Sequence, residues 1–425
     1  MTASEPYAVA IVGGATAGAE AAAIFASQGF LTVVIEQNSR PYGKVEDGLP
    51  RWHEGLRNKE YAAIDAKLDR DHVHFVPLTC LGRDLSFPEL CRDWGFHAVV
   101  LALGAWRDRP LPIEGVDAYV GRGLVYQNAF IHWFNHYPEK GYDGPQYEIT
   151  DDAIVIGGGL ASIDVAKALQ LELAVRALRE RGIEQDLCAM ELRGIPETLR
   201  GHGLEWKDLG LRGCTLYYRR RVDDMPLIEL PDGASERVRE KIVKGRRRVL
   251  DKAIERYLFR FQPLSAPSEA ILEEERLVGI RFARTRIVDG RVALTGERFD
   301  VRGSQVLSSI GSIPEPLEGI EMKGELYAFD DWDLGRMRAY PNVYSVGNVV
   351  TGKGNIVASR KHSRWVTDRM LEEYFRIADE VRKLPPLSER QRSTILERVA
   401  QLQRRVGYEG RYRDWISAAS PEEAS

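Results

Sequence analysis

Short, nearly continuous apolar runs that close on glycine recur along this chain. The first is Ala8-Val9-Ala10-Ile11-Val12. Apolar residues at every position read as a strand covered on both faces, not one half open to water. It leads through Gly13-Gly14-Ala15-Thr16-Ala17-Gly18 into an alanine-rich helix ending near Gly29. A second buried strand, Leu31-Thr32-Val33-Val34-Ile35, then closes on Glu36. A helix is expected over residues 56–68, short antiparallel strands turning at Gly82 over 72–88, and a buried strand at 96–103 ending in Gly104. Residues 121–138 are rich in aromatics and show no clear period.

At Ala153-Ile154-Val155-Ile156 the opening pattern returns. Gly157-Gly158-Gly159-Leu160-Ala161-Ser162 turns into a helix reaching about Arg181, and an irregular insertion follows to Gly213. The next strand, Cys214-Thr215-Leu216-Tyr217-Tyr218, closes on Arg219-Arg220-Arg221 instead of an acid. A charged amphipathic helix is expected over 235–257, then two or three strands between 277 and 301. Strands at 304–310 and 343–346 end at Gly311 and Gly347, and a Gly/Lys turn leads into a long helix from about Asn355.

Alternating strand–turn–helix units imply a mainly parallel sheet. At 425 residues, two or more domains are expected. Apolar (44%) and charged (29%) fractions are those of an ordinary globular protein, and the net charge of −4 argues against bulk affinity for nucleic acid. Cys80, Cys91, Cys188 and Cys214 form no C-x-x-C and no cluster. That disfavours an iron–sulfur cluster, a structural zinc or a redox disulfide, and no metal is expected. Met1 to Pro6 carry no basic stretch or long apolar run, so no signal peptide or membrane span is read and a cytoplasmic location is the default.

The candidate chemistry lies in the two glycine turns. A helix N-terminus after such a turn offers unpaired N–H groups and the positive end of a dipole to a pyrophosphate. A single G-x-G-x-x-G is weak evidence, because tight packing alone can require the glycines. Two turns with opposite strand-end chemistry say more. Glu36 suits an unphosphorylated ribose and the arginines a 2′-phosphate, so the first turn is expected to hold FAD and the second NADP(H). In the first turn Gly13, Gly14, Ala15, Ala17 and Gly18 are candidates, with Glu36 and Gln37 at the strand end. Ala15 replaces the middle glycine by a methyl-bearing residue, which the turn tolerates if the methyl points sideways. In the second turn the candidates are Gly157, Gly159, Leu160, Ala161 and Ser162.

From about Val9 to Val366 the arrangement resembles the adrenodoxin reductase family, including ferredoxin–NADP reductases of that type, with glutamate synthase small-subunit-like reductases as cousins. The resemblance rests on Pro41-Tyr42-Gly43 leading to His53, on Gly157 to Ala166 with Asp164, on the arginines at 219–221, and on the strand ends at Gly104 and Gly311. It implies an α/β fold of two Rossmann-like dinucleotide-binding domains, the NADP domain (113–315) inserted into a split FAD domain (1–112 and 316–385), with a helical tail at 386–425. It adds Tyr42, Gly43, Gly104, Gly347, Asn348, Gly354, Asn355 and Ile356 to the flavin candidates. It also implies that two of Arg219, Arg220 and Arg221 meet the 2′-phosphate, and the first pair, Arg219 and Arg220, is taken as the candidate. Asn348 stands where relatives carry Trp or Asp.

His53 and Asp164 are implied to orient groups and move a proton near the flavin–nicotinamide contact. As bare residues they can also be read as a loop histidine and an acid that caps or solvates a helix face, and the reading as polar orienters is preferred. The expected activity is an NADPH-dependent flavoprotein reductase passing electrons through FAD to a small carrier such as a ferredoxin. Two alternatives stay open: an electron-entry subunit of a glutamate synthase-like complex, and a non-enzymatic flavin fold that binds nucleotide. The tracts Lys244-Gly245-Arg246-Arg247-Arg248 and Arg360-Lys361-His362 read as solvated faces or as a dock for an acidic ferredoxin.

Overall fold

The computed structural model describes residues 6–231, 233–352, 354–377 and 384–420. Two compact units emerge. One is built from the described parts of 1–49, 53–107 and 312–425, the other from 50–52 and 108–311. The second is therefore nearly contiguous in sequence, and the first is split around it.

In chain order the first unit begins with β1 (Ala8–Val12), α1 (Thr16–Ser27), β2 (Leu31–Ile35), α2 (Glu54–Leu68), β3 (Val73–Val76) and β4 (Ala98–Leu101). The second supplies β5 (Leu124–Tyr126), α3 (Gln127–His136), β6 (Ile154–Gly157), α4 (Leu160–Arg179), β7 (Thr215–Tyr217), α5 (Glu236–Tyr257) and β8 (Arg260–Gln262). It continues with β9 (Ser265–Glu273), β10 (Arg276–Val288), β11 (Arg291–Arg302) and β12 (Val306–Ser309). The return to the first unit brings β13 (Val343–Ser345), α6 (Ile356–Arg369), α7 (Glu389–Arg405) and α8 (Tyr412–Ala418).

Each unit is built on a five-stranded parallel sheet, ordered β13-β4-β1-β2-β3 in the first and β5-β12-β6-β7-β8 in the second. Every residue of β1 and β2 is buried, including Thr32 in β2, as their almost wholly apolar runs require when both faces are covered. The small side chains of α1 let it lie close to the sheet and pack against α2 and α6. Its one buried acid, Glu20, meets Lys67 at 2.7 Å and the Arg364 Nε at 2.8 Å. In the second unit β9, β10 and β11 form an antiparallel meander, which buries Leu277, Ile280 and Phe282 with Tyr217 in one apolar cluster.

Two stretches differ from the sequence reading. Residues 72–88 hold no antiparallel pair of strands: β3 pairs parallel with β2, and a short helix, Phe87–Arg92, follows. Ser86 caps that helix by accepting the Glu89 N–H. The aromatic stretch resolves into β5 and α3, which buries Phe130, Ile131, Trp133 and Phe134. No helix among the described residues is long and apolar enough to cross a membrane. The acidic end, 421–425, lies outside the described residues.

Candidate functional site

At the first turn the glycines are dictated by their neighbours. Gly13 has φ +98°, and a Cβ there would sit 2.5 Å from the Ala102 carbonyl oxygen. A Cβ on Gly18 would lie 1.7 Å from the Gly13 oxygen, and one on Gly14 would lie 2.8 Å from the Pro41 Cβ. Ala15 is the N-cap of α1, with φ −70° and ψ −162°, and gives no side-chain cap. Its methyl faces Gly43, where an added Cβ would approach it to 3.0 Å. The methyl thus points sideways into the Pro41–Gly43 loop. With no acid in the first turn of α1, the helix end keeps its positive character for an anion.

Glu36 is buried at the end of β2, only 4% exposed. Its Oε2 accepts the Gly14 N–H at 2.7 Å and its Oε1 accepts the Asn38 N–H at 3.0 Å. Burial pushes its carboxyl up to about 7, against the pull of those backbone N–H groups. With backbone N–H groups of Gly14, Asn38 and Gln37 acting on it, the carboxylate's four lone-pair sites still leave one for a ribose hydroxyl. Gln37 beside it is exposed. The Tyr42 hydroxyl turns away to the Asp65 carboxylate, at 3.2 Å from each oxygen, and its ring stacks on Tyr61 at 4.0 Å.

The late segment of the chain joins this turn. Gly347, at φ +78°, would place a Cβ 2.8 Å from the Ala17 Cβ, and its N–H donates to His362 Nδ1 at 3.1 Å. Burial lowers the His362 pKa, which keeps that nitrogen an acceptor. Asn348 begins the next short helix, and its Oδ1 is buried with no hydrogen-bond partner among the described residues. A buried acceptor left unsatisfied costs about 1–3 kcal/mol, so the position suits a ligand hydroxyl or N–H. A Cβ on Gly354 would stand 3.8 Å from the Asn348 Nδ2. Asn355 caps α6 by accepting the Ala358 N–H at 2.6 Å, and Ile356 is the first helical residue.

Gly104, at φ +70°, and Gly43 flank the Trp106 indole, which lies 3.7 Å from the Cβ position of each. The side chains of Lys44 and Ser312 meet nearby at 3.1 Å. The orphaned Asn348 acceptor, the uncapped α1 terminus and the carboxylate of Glu36 form a donor and acceptor set that fits FAD.

At the second turn a Cβ on Gly157 would lie 2.4 Å from the Ser309 oxygen, and one on Gly158 would enter the Tyr218 ring at 2.1 Å. Gly159 is the N-cap of α4, with open space where a Cβ would be. Leu160 and Ala161 are exposed, while the buried Ser162 donates its hydroxyl to the Gly159 oxygen at 2.7 Å. The three strand-end arginines are not equivalent. Arg221 is held by Asp224 through two bonds of 2.9 and 3.2 Å. Arg220 donates to the Gly290 carbonyl, and its buried Nε has no partner among the described residues. Arg219 is exposed. This set fits a phosphorylated ribose.

Asp164 sits one turn into α4 with its side chain 21% exposed and 3.7 Å from Lys167. Burial pushes its carboxyl up to about 6, and Lys167 opposes the rise. The Lys167 ammonium also meets Glu191 at 2.9 Å and lies over the rings of Trp52 and Tyr257. His53 ends a 3-10 turn and is the N-cap of α2. It belongs to the first unit and Asp164 to the second.

No family model matches the chain. It is 26% identical over 373 residues to the mitochondrial NADPH:adrenodoxin oxidoreductase of Rattus norvegicus, covering 80% of this chain and 72% of that one. The Arabidopsis thaliana protein of the same name is 24% identical over 399 residues, covering 84% and 80%. The solved structure of Mycobacterium tuberculosis FprA in complex with NADPH shares the fold, with a TM-score of 0.68 over 94% of this chain and 91% of that one at 21% identity. The chain is similar to the adrenodoxin reductases.

Sequence reasoning missed several contributors to these turns: Trp106 between Gly43 and Gly104, Tyr218 over Gly158, Asp65 under Tyr42, and Lys167 beside Asp164. Trp106 was the most readable, standing two residues beyond a strand-closing glycine. Neither basic tract is a bare charged face. Arg246 and Arg247 bind the segment at Asp223 and Ile228. Arg360 pairs with Glu60, and His362 holds Gly347.

Proposed function

We propose that this chain is an NADPH-dependent flavoprotein reductase that passes electrons to a small iron–sulfur carrier such as a ferredoxin. The observation that carries the reading is the pairing of two uncapped strand–turn–helix units with opposite strand-end chemistry: Glu36 in one, Arg219 and Arg220 in the other. FAD, held in the first unit, supplies the conversion between a hydride pair and single electrons.

Glu36 accepts from a ribose hydroxyl and the N-terminus of α1 faces a diphosphate, with Gly13, Gly14, Ala15, Ala17 and Gly18 shaping the approach. Asn348 accepts a hydrogen bond from the cofactor, and α6, opened by Asn355 and Ile356, adds its positive end. In the second unit Gly157, Gly159, Leu160, Ala161 and Ser162 present the α4 terminus to the diphosphate of NADPH. Arg219 and Arg220 pair with its 2′-phosphate. Asp164, with a carboxyl that titrates near 6, holds or releases a proton close to neutral pH, and His53 serves as the second polar orienter. The domain limits that go with this reading are 1–112 and 316–385 for FAD, and 113–315 for NADP(H). The four cysteines are unbridged, which supports a reducing compartment, the cytoplasm.

The test is the absorbance spectrum of the purified protein, followed by anaerobic titration with NADPH. The flavin bands bleach with NADPH and return when an oxidised ferredoxin is added. A colourless protein that does not take up added FAD defeats the proposal.

A further inference from the structure

We propose that α8, at the far end of the chain, is a positioning element for the FAD turn, acting through Trp415 and Tyr412. The inference rests on the flavin reading above. Trp415 Nε1 donates to the Ser39 carbonyl oxygen at 2.7 Å. Tyr412 donates its hydroxyl to Asp65 Oδ1 at 2.8 Å, the carboxylate that also receives the Tyr42 hydroxyl. Two residues of the loop after β2, Ser39 and Tyr42, are thereby held by one short helix, one directly and one through a shared carboxylate.

The same loop forms the side wall of the glycine turn. Pro41 closes on Gly14, and Gly43 gives room to the Ala15 methyl. The loop therefore sets how closely Pro41 borders Gly14 and how much room the Ala15 methyl has beside Gly43. Other contacts also hold the loop, among them the Arg40–Glu46 ion pair and the Leu78 N–H on the Asn38 oxygen, but the Ser39 carbonyl and the Tyr42 hydroxyl are the two groups that α8 reaches, directly or through Asp65.

The segment that carries α8 is itself fixed to the same sheet. The Leu387 N–H donates to the Pro6 oxygen at 2.9 Å, and the Gln403 side chain donates to the Phe75 oxygen at 2.8 Å. The rings of Tyr408 and Tyr412 meet Phe75 edge-on at 5.9 and 5.2 Å. Arg413 pairs with Asp69. The helix is therefore a rigid strut, able to set the position of a loop rather than follow it.

The experiment compares full-length wild type, Trp415→Phe, Tyr412→Phe, Tyr42→Phe and the double variant Tyr42→Phe/Tyr412→Phe, each stripped of FAD. Titration calorimetry with FAD and hydrogen exchange over residues 39–43 are the readouts. Trp415→Phe keeps the ring packing and loses one donor, so FAD binding weakens roughly threefold to tenfold, the change one hydrogen bond carries. Exchange over 39–43 rises in the apoprotein. The two tyrosine changes are non-additive, because both hydroxyls act through Asp65. Unchanged FAD affinity with a lowered melting temperature makes α8 a stabilising strut only, and overturns the inference. A wild-type apoprotein that takes up no FAD removes the flavin reading itself.

Discussion

The strand-end arginines give the sharpest test of which nucleotide the second unit takes. They are adjacent in sequence, yet the structure ranks them. Arg221 is already neutralised by its two bonds to Asp224, so a phosphate would have to compete with a carboxylate in place. Arg220 is steadied by the Gly290 carbonyl and keeps a buried Nε unsatisfied. Arg219 is exposed. A hydrogen bond to a charged group contributes about 1.5–3 kcal/mol, or roughly tenfold to a hundredfold in affinity. Solvent screening puts Arg219 at the lower end. Arg219→Ala is therefore expected to raise KM for NADPH roughly tenfold, and Arg220→Ala by that much or more. Neither changes kcat, because the 2′-phosphate is remote from the transferred hydride and its binding is uniform. KM for NADH stays where it was, and Arg221→Ala shifts NADPH by less than about threefold, since that side chain is committed to Asp224. Steady-state kinetics with both nucleotides and an artificial acceptor read all three. Equal losses with NADPH and NADH, or a dominant effect of Arg221→Ala, would refute the reasoning.

Gly159→Ala separates binding from folding: the new methyl enters open space on an extended backbone, so denaturant stability changes by less than about 0.5 kcal/mol, while KM for NADPH rises because that space lies over the α4 terminus. Gly347→Ala works in reverse. It combines φ +78° with a 2.8 Å approach to Ala17, and chemical unfolding of the apoprotein should register a loss of about 1–3 kcal/mol. Glu36 gives a pH signature. Its folded-state value of about 7 lies above the ordinary 4.5, so its contribution to stability is fully present below 4.5 and is lost as pH rises through 7. The loss is on the order of 3 kcal/mol. Melting temperatures between pH 5 and 8 should show that fall in the wild-type apoprotein and a flatter profile in Glu36→Gln.

Much of the architecture was readable because buried parallel strands leave a strong mark: β1 and β4 are unbroken apolar runs with glycine beyond them, and β2 is a nearly apolar run that closes on Glu36. The acid and the arginines were readable because strand ends place chemistry at fixed offsets from the turn. The helix Phe87–Arg92 was also written, in Ser86 followed by Glu89, but the glycine at 82 suggested a hairpin instead. In α3 the crowd of aromatics hid a helical spacing, with Phe130, Ile131 and Phe134 on the covered face. Local sequence could not show that the Tyr42 hydroxyl belongs to Asp65, nor that Trp106 stands between Gly43 and Gly104. Those pairings depend on distant segments meeting, and no short-range pattern encodes them. The Ala15 methyl is of the same kind: it is acceptable because a glycine elsewhere made room.

The split of the first unit also bears on how the chain is made. Residues 108–311 form one contiguous block and can complete their sheet as soon as they leave the ribosome. By contrast, β4 gains its outer neighbour only when β13 is synthesised. At roughly 5–20 residues per second, the stretch from Leu101 to Val343 takes on the order of tens of seconds. Throughout that interval β4, with the sequence Ala98-Val99-Val100-Leu101, presents an unpaired apolar edge to the surrounding solution. The first unit thus completes its sheet only after the second has been synthesised, and the earliest residues translated are among the last to reach their final form.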